Sequence, residues 1–124
     1  MSKPNKLENQ KHLLQAEENE KLAKALTDLD SCYKDWVITL CFYSGLHYIY
    51  SKMPLEKLPK SHKEAEPLIL KHCGGNAYNK YRYLSDLSRN ARYYPKFAEK
   101  YRKGTKMVQS SIKKLYSLKN DLGV

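Results

Sequence analysis

The fifteen residues from Trp36 to Tyr50, WVITLCFYSGLHYIY, are apolar on nearly every side when wound as a helix: Trp36, Val37, Ile38, Leu40, Cys41, Phe42, Leu46 and Ile49 leave no polar face. A helix of that kind has to be surrounded, by lipid or by other helices. At about 1.5 Å per residue it spans roughly 22 Å, short of the roughly 30 Å hydrocarbon layer. Thr39, Ser44 and His47 also interrupt it. It is therefore expected at the centre of a helical bundle, running from about Tyr33 to Lys52 until Pro54 and Pro59 stop it and stiffen the link. Gly45 in its middle would let a neighbouring backbone approach closely, at about 1 kcal/mol of helix propensity relative to Ala.

The rest of the chain supplies the surrounding helices. A first helix is read from near Leu7 to Leu29, with Leu14, Leu22, Ala25, Leu26 and Leu29 turned inward and Glu17, Glu18, Glu20, Lys21 and Lys24 mostly outward. Ser61 with Glu64 three residues on is a capping-box pattern that opens a short helix through about His72. Pro67 either kinks that helix or delays its main part to near Glu66, and Gly74-Gly75 ends it. A further helix from about Ala77 to Arg92 offers Tyr81, Leu84, Leu87, Ser88 and Ala91 to the core, and Pro95 closes it. The last, from near Thr105 to Leu122, carries Met107, Val108, Ile112, Leu115, Leu118 and Leu122 as its stripe, with Gly123 as the stop. No strand-like alternation is present. The predicted fold is all-α, an up-and-down antiparallel bundle of four long helices plus a short one. With 124 residues it forms one domain, residues 1–6 being read as a disordered tail.

Charge narrows the function. Residues 1–56 carry seven basic and eight acidic side chains, a net of −1, whereas residues 57–124 carry sixteen against five, a net of +11. Between Lys80 and Lys106 nine Lys or Arg are interleaved with Tyr81, Tyr83, Tyr93, Tyr94 and Tyr101. Cations beside flat rings suit a phosphate backbone and its bases, through counterion release and stacking. Lysine-rich helices with solvated faces and core tyrosines give the same composition, so composition leaves both readings open. Three cysteines at wide spacing, with no apolar leader at the start, point to a reduced, cytoplasmic protein without a membrane span. His72 beside Cys73 falls short of the four ligands of a structural zinc site, so neither metal nor cofactor is expected.

Two constellations could carry chemistry. His47 titrates near neutrality inside the most buried helix, with Tyr43 one turn before it; it is either a hydrogen-bonded core histidine or a functional base. In LSDLSRNARYY, from Leu84, Arg82, Asp86, Arg89 and Arg92 or Tyr93 share one helix side. Arg89 and Arg92 are spaced to hold one phosphate between them, or else Arg82 and Arg89 flank Asp86 as ordinary ion pairs. His12, His62 and His72 have no partner at an informative spacing and are expected at the surface or at caps. Ser-His-Asp order and glycine-rich phosphate loops are missing.

Taken in order, HLLQAEENEKLAKAL from His12, DWVITLCFYSGLHYIY from Asp35, SHKEAEPLI from Ser61 and YRYLSDLSRNARYY from Tyr81 resemble small stand-alone HEPN-like proteins (higher eukaryotes and prokaryotes nucleotide-binding). The resemblance implies a helical bundle, often a homodimer, in a superfamily rich in RNA-cleaving toxins and defence effectors, many paired with a nucleotidyltransferase-type antitoxin. Its active members place an Arg, a polar residue and then a His four to six positions after the Arg, for metal-independent cleavage. Arg89-Asn90 matches the start, but Tyr94, Pro95 and Lys96 stand near where the His belongs. A tyrosine of ordinary pKa, about 10, is a poor base at neutral pH. The resemblance therefore implies RNA or nucleotide binding through Arg82, Arg89, Arg92, Tyr93, Tyr94 and Lys96. Catalysis, if present, would fall to Arg89, Asn90 and His47, the last sharing a string, FYxxLH, with many relatives. The alternatives are a non-catalytic, dimerising protein-interaction module and a bundle that holds a small ligand near His47 and Tyr43.

Overall fold

The computed structural model describes residues 6–27, 34–54, 59, 61–93 and 106–124. They form four helices: α1 Lys6–Thr27, α2 Lys34–Ser51, α3 His62–Tyr93 and α4 Lys106–Leu122. The expected tail, apart from Lys6, lies outside the described residues. None of these helices is long and apolar enough to cross a membrane.

The apolar helix α2 takes the central place, packing on α1, α3 and α4, while α3 also packs on α4. Val37, Ile38, Cys41, Phe42, Tyr48 and Ile49 are all buried. At Gly45 a Cβ would lie 3.0 Å from Leu118 Cδ2 and 3.3 Å from Leu84 Cδ1, so leucine side chains of the two neighbouring helices, rather than a backbone, use the space a side chain would fill. Trp36, counted with the apolar set, is exposed at the start of α2.

Helix α1 corrects the sequence reading. Its innermost face is Ala16, Glu20 and Ala23, while Leu14 and Leu22 are 61% and 50% exposed and Ala25 is exposed as well; Leu26 packs against the core as expected, with Leu13, and Leu29 lies outside the described residues. The chain offers α1 two opposed apolar stripes. The small-residue stripe faces α2 because it lets the backbones come close enough for Ser44 Oγ to donate to the Ala16 carbonyl at 2.8 Å. Glu20 is carried inward with the alanines, since it lies one turn from each.

Helix α3 joins the short helix expected from Ser61 to the one expected from about Ala77, with its break where the Gly74-Gly75 stop was expected. The short and the long element are one helix broken at Gly74, the only residue within it off helical backbone angles, at φ +88°. That φ is open to glycine at no steric cost. An unbroken helix would hold His62 and Tyr81 about 28 Å apart. Instead His62 Nδ1 lies 3.2 Å from the Tyr81 hydroxyl, and Arg82 reaches Glu66 at 3.3 Å. The halves therefore fold back on each other. Ser61 caps the start, its Oγ accepting from the Glu64 N–H at 3.2 Å, and Pro67 is carried without a break. Tyr81, Leu84, Leu87, Ser88 and Ala91 form the buried face, as their spacing predicts. In α4, Val108, Leu115 and Leu118 are buried. Val124 N donates to Lys119 O at 3.0 Å and Gly123 N to Asn120 O at 3.2 Å, with Gly123 at φ +72°, a Schellman end.

Candidate functional site

Beyond Gly74, the outer side of α3 carries Arg82, Asp86, Arg89 and Arg92, all exposed. Their states differ. Arg82 is tied to Glu66 and to the Tyr78 hydroxyl, both at 3.3 Å. Arg92 donates through Nε to the Ser88 carbonyl at 3.3 Å and through Nη1 to the Tyr43 hydroxyl at 3.1 Å, its guanidinium carbon 5.9 Å from that ring's centre. Arg89 makes no ion pair among the described residues, and Asp86, one turn away, does not hold it. Asn90 is half-buried beside it. Tyr94, Lys96 and the side chain of Tyr93 lie outside the described residues.

The neighbouring face of α3 opens on a shallow groove of about 370 Å³ toward α4, lined by Tyr83, Ser110, Lys113, Lys114 and Ser117. The Lys114 ammonium sits 4.8 Å above the centre of the Tyr83 ring. Successive helix residues point about 100° apart, so the Tyr83 side of α3, which leads to Asn90, lies more than a quarter turn from the side of Arg82 and Arg89, with Asp86 between the two. Lys80 closes the far end in an ion pair with Asp121.

His47 turns to α1. Its Nδ1 lies 2.9 Å from His12 Nδ1, the ring centres are 5.2 Å apart and the planes differ by 23°. The centre-to-centre distance exceeds the N···N distance by about two ring radii, so the imidazoles meet edge to edge along one N–H···N line. One ring carries its proton on Nδ1 and the other on Nε2. Tyr50 packs its ring edgewise against both, at 5.4 and 6.3 Å. Burial lowers both pKa values; His12 lowers His47 further, and Glu8 partly offsets the effect on His12. This pair escaped the sequence reading because its members are 35 residues apart, and His62, also expected to lack a partner, binds Tyr81. Arg92 on Tyr43 is the described contact that brings the arginine stripe to α2, one helical turn before His47.

A second polar cluster was likewise invisible in the sequence. The buried Glu20 carboxylate accepts from the Tyr48 hydroxyl at 2.5 Å, from Lys119 Nζ at 2.9 Å and from Lys24 Nζ at 3.1 Å, joining α1, α2 and α4. Burial alone would raise its pKa; the three donors and the Lys119 charge outweigh that and hold it below the usual range. The Tyr48 hydroxyl is pushed up, by burial first and then by Glu20. Lys119 also rides over the Tyr48 and Tyr116 rings, at 5.0 and 5.7 Å. A groove of about 510 Å³ lies over this cluster, with Lys21 and Lys52 on its rim.

Cys41 is buried, its thiol pushed up to about 12 by burial and by Glu20, and it is no nucleophile. Among the described residues no three His, Cys, Asp or Glu side chains converge to hold a metal ion. The chain matches no protein-family model, and neither a curated protein nor a solved structure matches it significantly.

Proposed function

We propose that the chain is a HEPN-like module that engages RNA or a nucleotide through the outer side of α3 and the groove toward α4. The observation that carries this reading is Arg89, a guanidinium in solvent with no ion pair among the described residues, on the same helix whose other side opens on the groove of Tyr83, Lys113 and Lys114. A charge that the fold does not neutralise is one a phosphate can use, and the adjacent tyrosine offers a face for a base. The broken α3 would stand for the short and the long helix of such a bundle, and the free thiols of Cys41 and Cys73 suit a reducing cytoplasm. A nucleotidyltransferase-type partner belongs to the reading only through the sequence resemblance.

Cleavage is a separate step. It would ask His47 to move a proton with Arg89 and Asn90 on the phosphate. His47 is engaged with His12 on the α1 side of α2 and no described contact joins it to either residue, so cleavage would require a rearrangement that binding does not. Titration of labelled single-stranded RNA at several salt concentrations tests binding: the affinity should fall with salt by about 0.7 slope units per phosphate contact. Absence of binding at low salt would favour a protein-interaction module. Incubation of total RNA with pure protein, His47→Ala and Arg89→Ala tests cleavage, and equal products from all three would remove the mechanism. The interaction module is itself favoured by one observation, the leucines on the outside of α1.

A further inference from the structure

The groove of about 510 Å³ over the Glu20 cluster is walled by α1, α2 and α4, and no described residue of α3 lines it. Its size is that of a small-molecule site, and in helical bundles such sites lie between helices. Leu13 and Val124 give it apolar wall. Leu13 and Lys52 also line a second hollow, of about 240 Å³, so the two are neighbours along α1.

The charge of the lining is one-sided. Lys21, Lys24, Lys52 and Lys119 face two acidic side chains, Glu17 and Glu20, and would still be the majority with a backbone carboxylate at Val124 counted. Glu20 is the deepest of these groups, its side chain 8% exposed against 21% for Lys119 and 52% for Lys24. A molecule entering the groove therefore meets ammonium groups before it meets that carboxylate. One carboxylate shared by two ammonium groups leaves a cation over, and of the three N–H donors of Lys119 a single one is given to Glu20. Lys52, on the rim, makes no ion pair among the described residues.

We infer that this groove binds a small organic acid, a carboxylate or phosphate monoester on a short apolar chain, with its anionic head among Lys119, Lys24 and Lys52 and its chain along Leu13. The place is separate from the arginine stripe of α3 and from the surroundings of His47 and Tyr43. The inference does not rest on RNA binding, and either can fail without the other.

Amide proton–nitrogen correlation NMR of the full chain tests it, with hexanoate and hexyl phosphate as the two acids and hexanol as the uncharged control. The amides of Leu13, Tyr48, Lys52 and Lys119 should shift along one saturating curve, with a Kd on the order of 1 mM for the tighter acid, which identifies the preferred head group. Hexanol should bind at least about tenfold more weakly. Lys52→Glu should weaken the acid by roughly tenfold, and Glu17→Gln, which removes a like charge from the lining, should tighten it by about threefold. Both positions lie at the surface or near it, so resonances away from the groove should stay in place. Failure of both acids to saturate the groove, or hexanol binding as tightly as they do, overturns the inference. So does an affinity that neither substitution moves, or displacement of the acid by single-stranded RNA, which would give these lysines to a polynucleotide.

Discussion

The cluster around Glu20 and the arginine stripe of α3 are both made of charge, yet they stand in opposite relation to the fold. At Glu20 one buried carboxylate takes three donors from three helices, and each group that the core has desolvated finds a partner. At Arg89 a cation is left in water, with Asp86 one turn away and not paired to it among the described residues. The first arrangement spends its charge on holding helices together, because an unmatched ion at that depth is expensive. The second contributes little to stability and keeps its charge for something outside the molecule. Function is better sought where charge is unmatched than where it is dense.

That contrast is sharpest under substitution. Glu20→Ala should leave the buried Tyr48 hydroxyl and the half-buried Lys119 ammonium without their acceptor and cost about 3 kcal/mol, read from urea denaturation, with RNA affinity per folded chain unchanged. Arg89→Ala should do the reverse: stability within about 0.5 kcal/mol of wild type, and a salt slope reduced by about 0.7 unit. A loss of stability in Arg89→Ala comparable to that in Glu20→Ala would erase the distinction.

Which parts of this were legible beforehand follows from how local each signal is. The central helix, the stripe of α4, the Ser61 cap and the tight fit at Gly45 all depend on residues within a turn or two, and periodicity or capping chemistry exposes them. The inner face of α1 was misread because leucine outranks alanine in hydrophobicity, whereas closeness to α2 favours the smaller side chain. The partners of Glu20 come from Tyr48 and Lys119, and the His12–His47 hydrogen bond joins two helices; no spacing rule reaches so far. The exposed arginine stripe was readable because all its members share one helix, and the Arg92 contact with Tyr43 was not.

The histidine pair lies between the two extremes and offers a graded test. Both pKa values are lowered on folding from the ordinary value of 6.5, so below that pH the unfolded chain binds protons that the folded chain refuses. Stability is therefore full above about 6.5 and falls as the pH drops toward the folded-state values. The urea midpoint should decline over that interval, and His12→Gln should flatten the decline by leaving one titrating ring instead of two. An equally steep decline in the variant would detach the effect from the pair.

The smallest effect comes from a group matched to neither solvent nor protein. Ser88 Oγ is buried one residue before Arg89 and has no hydrogen-bond partner among the described residues. Its own carbonyl accepts from Arg92 Nε, so the backbone is engaged while the hydroxyl is idle. Removing an unsatisfied buried hydroxyl takes away a desolvation cost and loses no bond. Ser88→Ala should therefore raise stability by up to about 1 kcal/mol and leave RNA affinity as it was. If the variant instead loses stability, or loses RNA, then the hydroxyl has a partner when the stripe is occupied, and the boundary between core and binding face lies deeper in α3 than the exposed arginines alone suggest.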